Sequence, residues 1–191
     1  MIYIPNLLTL MRIGLVPWLV VLLQQQEFGW ALFVFITAGV TDGLDGYIAK
    51  RFNAQTVLGA ILDPIADKAL LVSTYIMLAV MQLIPFWLVV VVVFRDLVIV
   101  GGYLLMLMLY DKVNIAPLIV SKVNTFLQIS YIVIVLAALA WQMDLSVFLP
   151  MLNYSVLISS VVSGLAYVFM GSKAATQGSN EPVKDSSDDP Q

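Results

Sequence analysis

The sequence predicts an all-α membrane protein built from six transmembrane helices. Three observations carry that prediction. Hydrophobic residues make up 61% of the 191 positions. Apolar runs of about 20 residues recur along the chain, the length at which a helix crosses the hydrocarbon core of a bilayer. The breaks between runs are short and marked by glutamine, proline or charge.

The first span, roughly 4–24, begins almost at Met1 and is interrupted by Arg12. It lacks a basic leading segment and a small-residue cleavage site, so it reads as a retained helix rather than a secretory signal. Gln24-Gln25-Gln26-Glu27 separates it from the second span, 29–51, and a polar break over 50–55 precedes the third, 57–82. A tight turn at 82–85 leads into 85–109; the longest internal loop, 110–117, leads into 120–142; a short turn at 142–146 leads into 146–170. Pro85 and Pro150 fall near helix starts, where a missing N–H is harmless. Pro17 and Pro64 fall within spans, where neighbouring groups can satisfy the freed carbonyl. From Gly171 the composition turns to Gly, Ser, Asn and Asp, the signature of a disordered, solvated tail. The expected division is therefore a membrane domain over 1–170 and a polar, acidic tail over 171–191, with no internal repeat.

Charge sets the expected orientation. Loops one, three and five contain no Lys or Arg, whereas loops two and four with their borders carry Lys50, Arg51, Lys112 and Lys122, and the tail carries Lys173 and Lys184. By the positive-inside rule both termini lie on the cytoplasmic side, as for a multi-pass protein of a bacterial inner membrane or its equivalent. In the tail, four acids against two lysines supply −2 of the net charge of −3. The rest is nearly neutral and offers no basic patch to nucleic acid.

The chain has neither cysteine nor histidine. A disulfide framework, a thiolate nucleophile and a Cys/His zinc site are excluded, as is a histidine general base. A bound metal must be held by oxygen, which selects hard ions such as Mg²⁺, Mn²⁺ or Ca²⁺, and a general base would be a carboxylate.

Four aspartates stand out against this background: Asp42-Gly-Leu-Asp45-Gly46-Tyr-Ile-Ala49-Lys50, eight residues, then Gly59-Ala-Ile-Leu-Asp63-Pro-Ile-Ala-Asp67. A charged side chain at the centre of a bilayer costs about 3 kcal/mol or more, so each one marks function. Spacings of three and four return each pair to one helix face. The two pairs are nearly symmetric about the turn near residue 54, and at about 1.5 Å per residue each lies about 10–20 Å below it. Two antiparallel helices can thus gather four carboxylates at one depth near the cytoplasmic surface, where one or two divalent cations would supply the shared counter-charge. Gly43, Gly46 and Gly59 allow either close approach of a ligand or close helix packing.

These residues resemble the signature of the CDP-alcohol phosphatidyltransferases, D-x-x-D-G-x-x-A-R, eight residues, G-x-x-x-D-x-x-x-D. Lys50 stands where the family usually has Arg, and Arg51 follows it. The charge is kept but Lys50 lacks the bidentate fork, which leaves open which of the two meets a diphosphate. With six spans the resemblance extends to about residue 170. It implies an enzyme of glycerophospholipid synthesis that moves a phosphatidyl group from CDP-diacylglycerol to an alcohol and releases CMP. Carried over by position, Asp42, Asp45 and Asp63 would bind two divalent ions, Mg²⁺ or Mn²⁺. Asp67 would also touch a metal and would act as general base on the acceptor hydroxyl. Gly46, Ala49 and Gly59 would give the cytidine and diphosphate room. Asn6, Thr9 and Arg12 fit the P-N-x-x-T-x-x-R opening of similar enzymes, where this helix face lies near the nucleotide; for Arg12 the competing reading is an interfacial residue snorkelling to headgroups. Lys68 reads as an ion-pair partner. Arg95 reads either as half of a buried pair with Asp96 or as a ligand of an acceptor phosphate, and Lys122 could reach the same anion.

Outside the signature, the sequence is similar to the phosphatidylglycerophosphate and cardiolipin synthase branch of that family. Leu83-Ile84-Pro85, Arg95-Asp96-Leu97 and Ser121-Lys122-Val123-Asn124-Thr125 favour phosphatidylglycerol as acceptor, with glycerol 3-phosphate the alternative. Homodimers are common among similar enzymes, which leaves a homodimer open here without any residue that requires one. Two readings from other classes compete. An intramembrane prenyltransferase normally needs more helices, and a proton- or cation-translocating protein would use buried acids but has no need of Gly46, Ala49 and Gly59 at these spacings.

Overall fold

In the computed structural model the chain forms six helices in succession: α1 (Ile4–Gln24), α2 (Phe28–Arg51), α3 (Val57–Val80), α4 (Phe86–Leu109), α5 (Ile119–Ala140) and α6 (Phe148–Gly178). The structure describes the backbone of residues 4–51, 57–109 and 119–178, and the side chains of 10–41, 66–102 and 119–170. No strand occurs among the described residues. Five helices match the predicted spans to within two residues at either end. The sixth runs through 171–178, which composition assigned to the polar tail. Lys173, Ala174 and Ala175 are good helix formers, which suits a helix that runs beyond Gly171. Residues 179–191 lie outside the described residues.

The helices pack as a ring in the cyclic order α1, α2, α5, α6, α4, α3, with α3 also reaching α5 and α2 across it. At the crossing of α3 and α5 the buried rings of Tyr75 and Tyr131 stack, their centroids 5.7 Å apart and their planes 5° from parallel. Around them lies a continuous core that includes Leu19 and Leu23 of α1, Phe35 of α2, Leu78 of α3, Leu88 and Val92 of α4, Ile132 and Leu136 of α5, and Val156 of α6.

Polarity is distributed inside out. Buried side chains include Arg12, Arg95, Asp96, Asn124, Gln128 and Asn153, while Trp18, Trp30, Phe33, Phe94, Phe126 and Phe169 are exposed. So extensive an exposed apolar surface marks a surface made for something other than water. Two helices, Ile119–Ala140 and Phe148–Met170, are long and apolar enough by themselves to cross a bilayer.

The turns after α1, α3 and α5 share one device. Gln26, Gln82 and Gln142 adopt positive φ of 60°, 59° and 53°. In each, the glutamine N–H donates to the carbonyl three residues back and the next N–H donates to the carbonyl five residues back: Gln82 to Ala79 at 2.9 Å and Leu83 to Leu78 at 2.9 Å, for example. This is the Schellman closure, which satisfies the last carbonyls of a helix and normally uses glycine at the left-handed position. After the α5 closure, the Asp144 carboxylate accepts the Ser146 backbone N–H at 2.8 Å. That bond holds the Asp144 carboxyl below its ordinary range.

A side chain in the left-handed region costs about 1 kcal/mol relative to glycine. Gln142→Gly is therefore expected to stabilise the protein by about 0.5–1 kcal/mol, read as a rise in the midpoint of thermal unfolding in detergent.

Candidate active site

The site is assembled where α1, α3 and α4 bring charged groups toward α2 and α5. Arg12 projects from α1 into the bundle, only 2% exposed, and its Nη1 donates to Oδ1 of Asp67 at 3.0 Å. The snorkelling reading of Arg12 is thereby corrected: a guanidinium buried against a carboxylate 55 positions away is held inside rather than reaching for headgroups. The Asp67 side chain remains 45% exposed, so it is fixed on one side and accessible on the other.

Lys68 does not pair with its neighbour Asp67. Consecutive side chains on a helix point about 100° apart, and that turn carries Lys68 to α4, where Nζ donates to Oδ2 of Asp96 at 2.6 Å. The other Asp96 oxygen, Oδ1, accepts from Arg95 Nη1 at 2.8 Å. Asp96 thus bridges two cations, and the trio carries a net charge of about +1 if all three groups are ionised. Arg95 itself is 5% exposed. Its Nε and Nη2 donate to Ser163 Oγ of α6 at 3.2 and 2.7 Å, and Nη2 also donates to Ser121 Oγ of α5. Of the two readings of Arg95, the buried ion pair is the contact it makes here. Lys122, by contrast, is exposed at the start of α5.

From Ser121 and Ser163 a polar ladder descends between α5 and α6. The hydroxyls of Ser159 and Ser160 donate to Asn124 Oδ1 at 2.7 and 3.0 Å. Lower down, Tyr131 Oη donates to Asn153 Oδ1 at 2.6 Å and Tyr75 Oη donates to the Gln128 carbonyl at 3.2 Å. Beyond Asn124, this ladder was not anticipated from the sequence. Its signal was the placing of Ser121, Asn124, Gln128 and Tyr131 at helical intervals on one face of α5.

A cavity of about 320 Å³ lies between α2, α3 and α5. Asp67 and Lys68 stand at one end with Thr125, and the walls are apolar, among them Phe35, Ile36, Val40, Leu70, Leu71 and Ile129. Ile36, Val40 and Ile129 are also exposed on the outer surface, so the cavity is a groove that opens outward between α2 and α5. The remaining signature positions fall on the expected helices: Asp42, Asp45, Gly46, Ala49, Lys50 and Arg51 on α2, and Gly59 and Asp63 on α3. Their side chains, like those of Asn6 and Thr9 on α1, lie outside the described residues.

The CDP-alcohol phosphatidyltransferase profile matches residues 2–169. The chain belongs to the CDP-alcohol phosphatidyltransferase family. Within it, the chain is 35% identical over 186 residues to the cardiolipin synthase (CMP-forming) of Rattus norvegicus, covering 89% of this chain and 62% of the rat protein. It is 40% identical over 107 residues to the cardiolipin synthase (CMP-forming) of Streptomyces coelicolor, covering 51% of this chain and 50% of that one. It is 29% identical over 184 residues to the CDP-diacylglycerol–glycerol-3-phosphate 3-phosphatidyltransferase of Bacillus subtilis, covering 87% of this chain and 94% of the other. The chain thus spans about three fifths of the length of the rat enzyme it matches.

Removing one member of a buried charge pair leaves the other uncompensated, at a cost of about 3–5 kcal/mol. Asp96→Asn, which strands Arg95, is therefore expected to lower the unfolding midpoint far more than Lys68→Met. The Lys68 side chain is 37% exposed, and its loss still leaves Arg95 with its carboxylate. The comparison is made by thermal unfolding of the two variants in one detergent.

Proposed function

We propose that this protein transfers the phosphatidyl group of CDP-diacylglycerol to an alcohol with release of CMP, with phosphatidylglycerol the preferred acceptor and glycerol 3-phosphate the alternative. One observation supports the reading above the others. Asp67, which ends the family signature, is oriented by the buried Arg12 yet exposed at the head of a groove. A carboxylate so placed can take the acceptor's proton as its oxygen forms a bond to the phosphatidyl phosphorus and the bond to CMP breaks. Such a positioned base contributes about 10²–10⁴-fold to rate. The greater identity to proteins named cardiolipin synthase than to the one named for glycerol 3-phosphate favours the lipid acceptor.

The donor set suits hard divalent cations. The sequence offers aspartate oxygens and no histidine or cysteine, and the exposed Asp67 carboxylate lies on the same helix as Asp63, one turn away. In this reading Asp42, Asp45, Asp63 and Asp67 hold two Mg²⁺ or Mn²⁺ ions. When bound, these ions would neutralise the diphosphate and stabilise charge on the attacking and leaving oxygens. In the same reading Asn6, Thr9, Gly46, Ala49, Lys50, Arg51 and Gly59 would serve the donor, and Arg95 and Lys122 the acceptor.

All six helices are assigned as membrane spans in the same reading, with both termini and the aspartates toward the cytoplasm, the bilayer as solvent, and a second copy of the chain as partner. The apolar outer surface and the absence of Lys and Arg from the turns after α1, α3 and α5 support it. Because the chain contains no cysteine, single cysteines report topology without background. Asp144→Cys is expected to react with a membrane-impermeant maleimide from the outer face, and Gln55→Cys only after the membrane is opened. Labelling of both from the same side would refute the arrangement.

The activity is tested by incubating purified protein with CDP-diacylglycerol and Mg²⁺ or Mn²⁺, offering each acceptor separately, and following CMP and lipid product. Metal-dependent CMP release with cardiolipin formed from phosphatidylglycerol is expected. Asp67→Asn is expected to lose about 10²–10⁴-fold in turnover while still binding CDP-diacylglycerol; full turnover in that variant removes Asp67 from the base role.

A further inference from the structure

Three polar side chains line the cavity between α2, α3 and α5: Asp67 and Lys68 from α3, and Thr125 from α5. The first two are held by other helices, Asp67 by Arg12 and Lys68 by Asp96. Thr125 is the one whose bond stays within its own helix: its Oγ1 donates to the Ser121 carbonyl at 3.1 Å. It opens a row of branched residues four apart, Thr125, Ile129 and Val133, that forms the α5 wall of the cavity. The polar residues beside that row, Ser121, Asn124, Gln128 and Tyr131, bond instead to α4 and α6. Valine would give position 125 the same branched shape, so what distinguishes threonine there is its hydroxyl. A hydroxyl has one proton and two acceptor lone pairs. With its proton committed to Ser121, Thr125 offers the cavity acceptor capacity alone. A carboxylate that is to take a proton is likewise an acceptor. The polar end of the cavity thus presents two acceptors on two different helices, and a ligand that satisfies both must bring two donors.

We propose that Thr125 is an acceptor-binding residue that selects a vicinal diol, its Oγ1 accepting a hydrogen bond from the hydroxyl next to the one that Asp67 deprotonates. The proposal rests on the phosphatidyltransferase reading above, which makes Asp67 the base. It deepens that reading by naming what phosphatidylglycerol and glycerol 3-phosphate share: a free primary hydroxyl with a secondary one on the adjacent carbon. The primary oxygen bonds to phosphorus, its proton passes to Asp67, and the bond to CMP breaks. The secondary hydroxyl is held and leaves unchanged. An alcohol without it leaves the Thr125 lone pairs facing apolar walls unpaired, which weakens binding.

The test compares two acceptors on the unmodified protein with CDP-diacylglycerol and Mg²⁺ or Mn²⁺. One is phosphatidylglycerol. The other is its deoxy analogue, whose head group keeps the primary hydroxyl and lacks the secondary one. Glycerol 3-phosphate and its corresponding deoxy analogue form a soluble pair. CMP release is expected to give kcat/KM about tenfold higher for the diol of each pair, the worth of one hydrogen bond. Thr125→Val is expected to lower kcat/KM for the diol about tenfold and so abolish the preference, and Thr125→Ser to keep it. The Ser121 carbonyl retains its helical partner, the Thr125 N–H, so the valine variant strands no backbone group. Equal use of diol and deoxy acceptor by the unmodified protein overturns the proposal whether or not a variant folds. Equal losses on both acceptors in Thr125→Val would reduce the residue to packing. A rise in KM for CDP-diacylglycerol, whose ribose also carries a vicinal diol, would place Thr125 on the donor and overturn the assignment. CMP release with neither pair refutes the phosphatidyltransferase reading and the proposal with it, whereas equal release within a pair refutes the proposal alone.

Discussion

The constraint on which the rest of this structure depends is the cost of an unpaired charge among apolar groups. Uncompensated burial of an ion costs several kcal/mol even after relaxation, and this bundle carries large apolar side chains both in its core and on its outer surface. Each buried charge among the described residues is accordingly paired with an opposite one. Arg12 ties α1 to Asp67 on α3, and Asp96 of α4 ties Lys68 on α3 to Arg95, which in turn ties α4 to Ser121 on α5 and Ser163 on α6. Packing between apolar helices in lipid has no hydrophobic driving force to select one neighbour over another. The charged and polar links favour the pairing of α3 with α1 and α4 and of α6 with α4 and α5, and among the described residues none of them reaches α2.

The same links position the chemistry. Asp67 and Lys68 are adjacent in sequence, yet each is held by a different helix, so the two head groups of the groove are set independently. Arg12 holds Asp67 from the α1 side, and Asp96 holds Lys68 from the α4 side. The ladder beneath Arg95, from Asn124 to the Tyr131–Asn153 bond, stiffens the α5–α6 pair that backs this arrangement. Paired members of a buried polar network specify one packing more sharply than aliphatic contacts alone, although among the described residues Asn124 Nδ2 and Gln128 Oε1 are buried without a hydrogen-bond partner.

The helices were legible in the sequence because hydropathy and punctuation are local signals. Gln24 to Glu27, Gln82 to Pro85 and Gln142 to Ser146 each broke an apolar run, and each proved to be a turn. What could not be read there was that glutamine, rather than glycine, takes the left-handed closing position in all three, since the φ of one residue depends on the helix it terminates. The end of α6 was set too early because composition changed at Gly171 whereas helix propensity persisted through Ala174 and Ala175. The signature was legible residue by residue, and of its four aspartates the one with a described side chain, Asp67, lies on α3 beside a cavity. The partners were not legible. Lys68 stands next to Asp67 in sequence but turns to Asp96, 28 positions away, and Arg12 finds its carboxylate 55 positions on. Such pairings follow from which helices are neighbours, and periodicity carries no information about that.

The groove belongs to the same class of feature. Its walls come from Phe35 to Val40 on α2, Leu70 and Leu71 on α3, and Ile129 and Val133 on α5, residues that in sequence look like any other lipid-facing or core positions. They become a site only because α5 follows α2 in the ring and α3 crosses behind both. The described ion pairs join α3 to α1 and to α4, so the groove along the α2–α5 seam leaves each of those pairs intact.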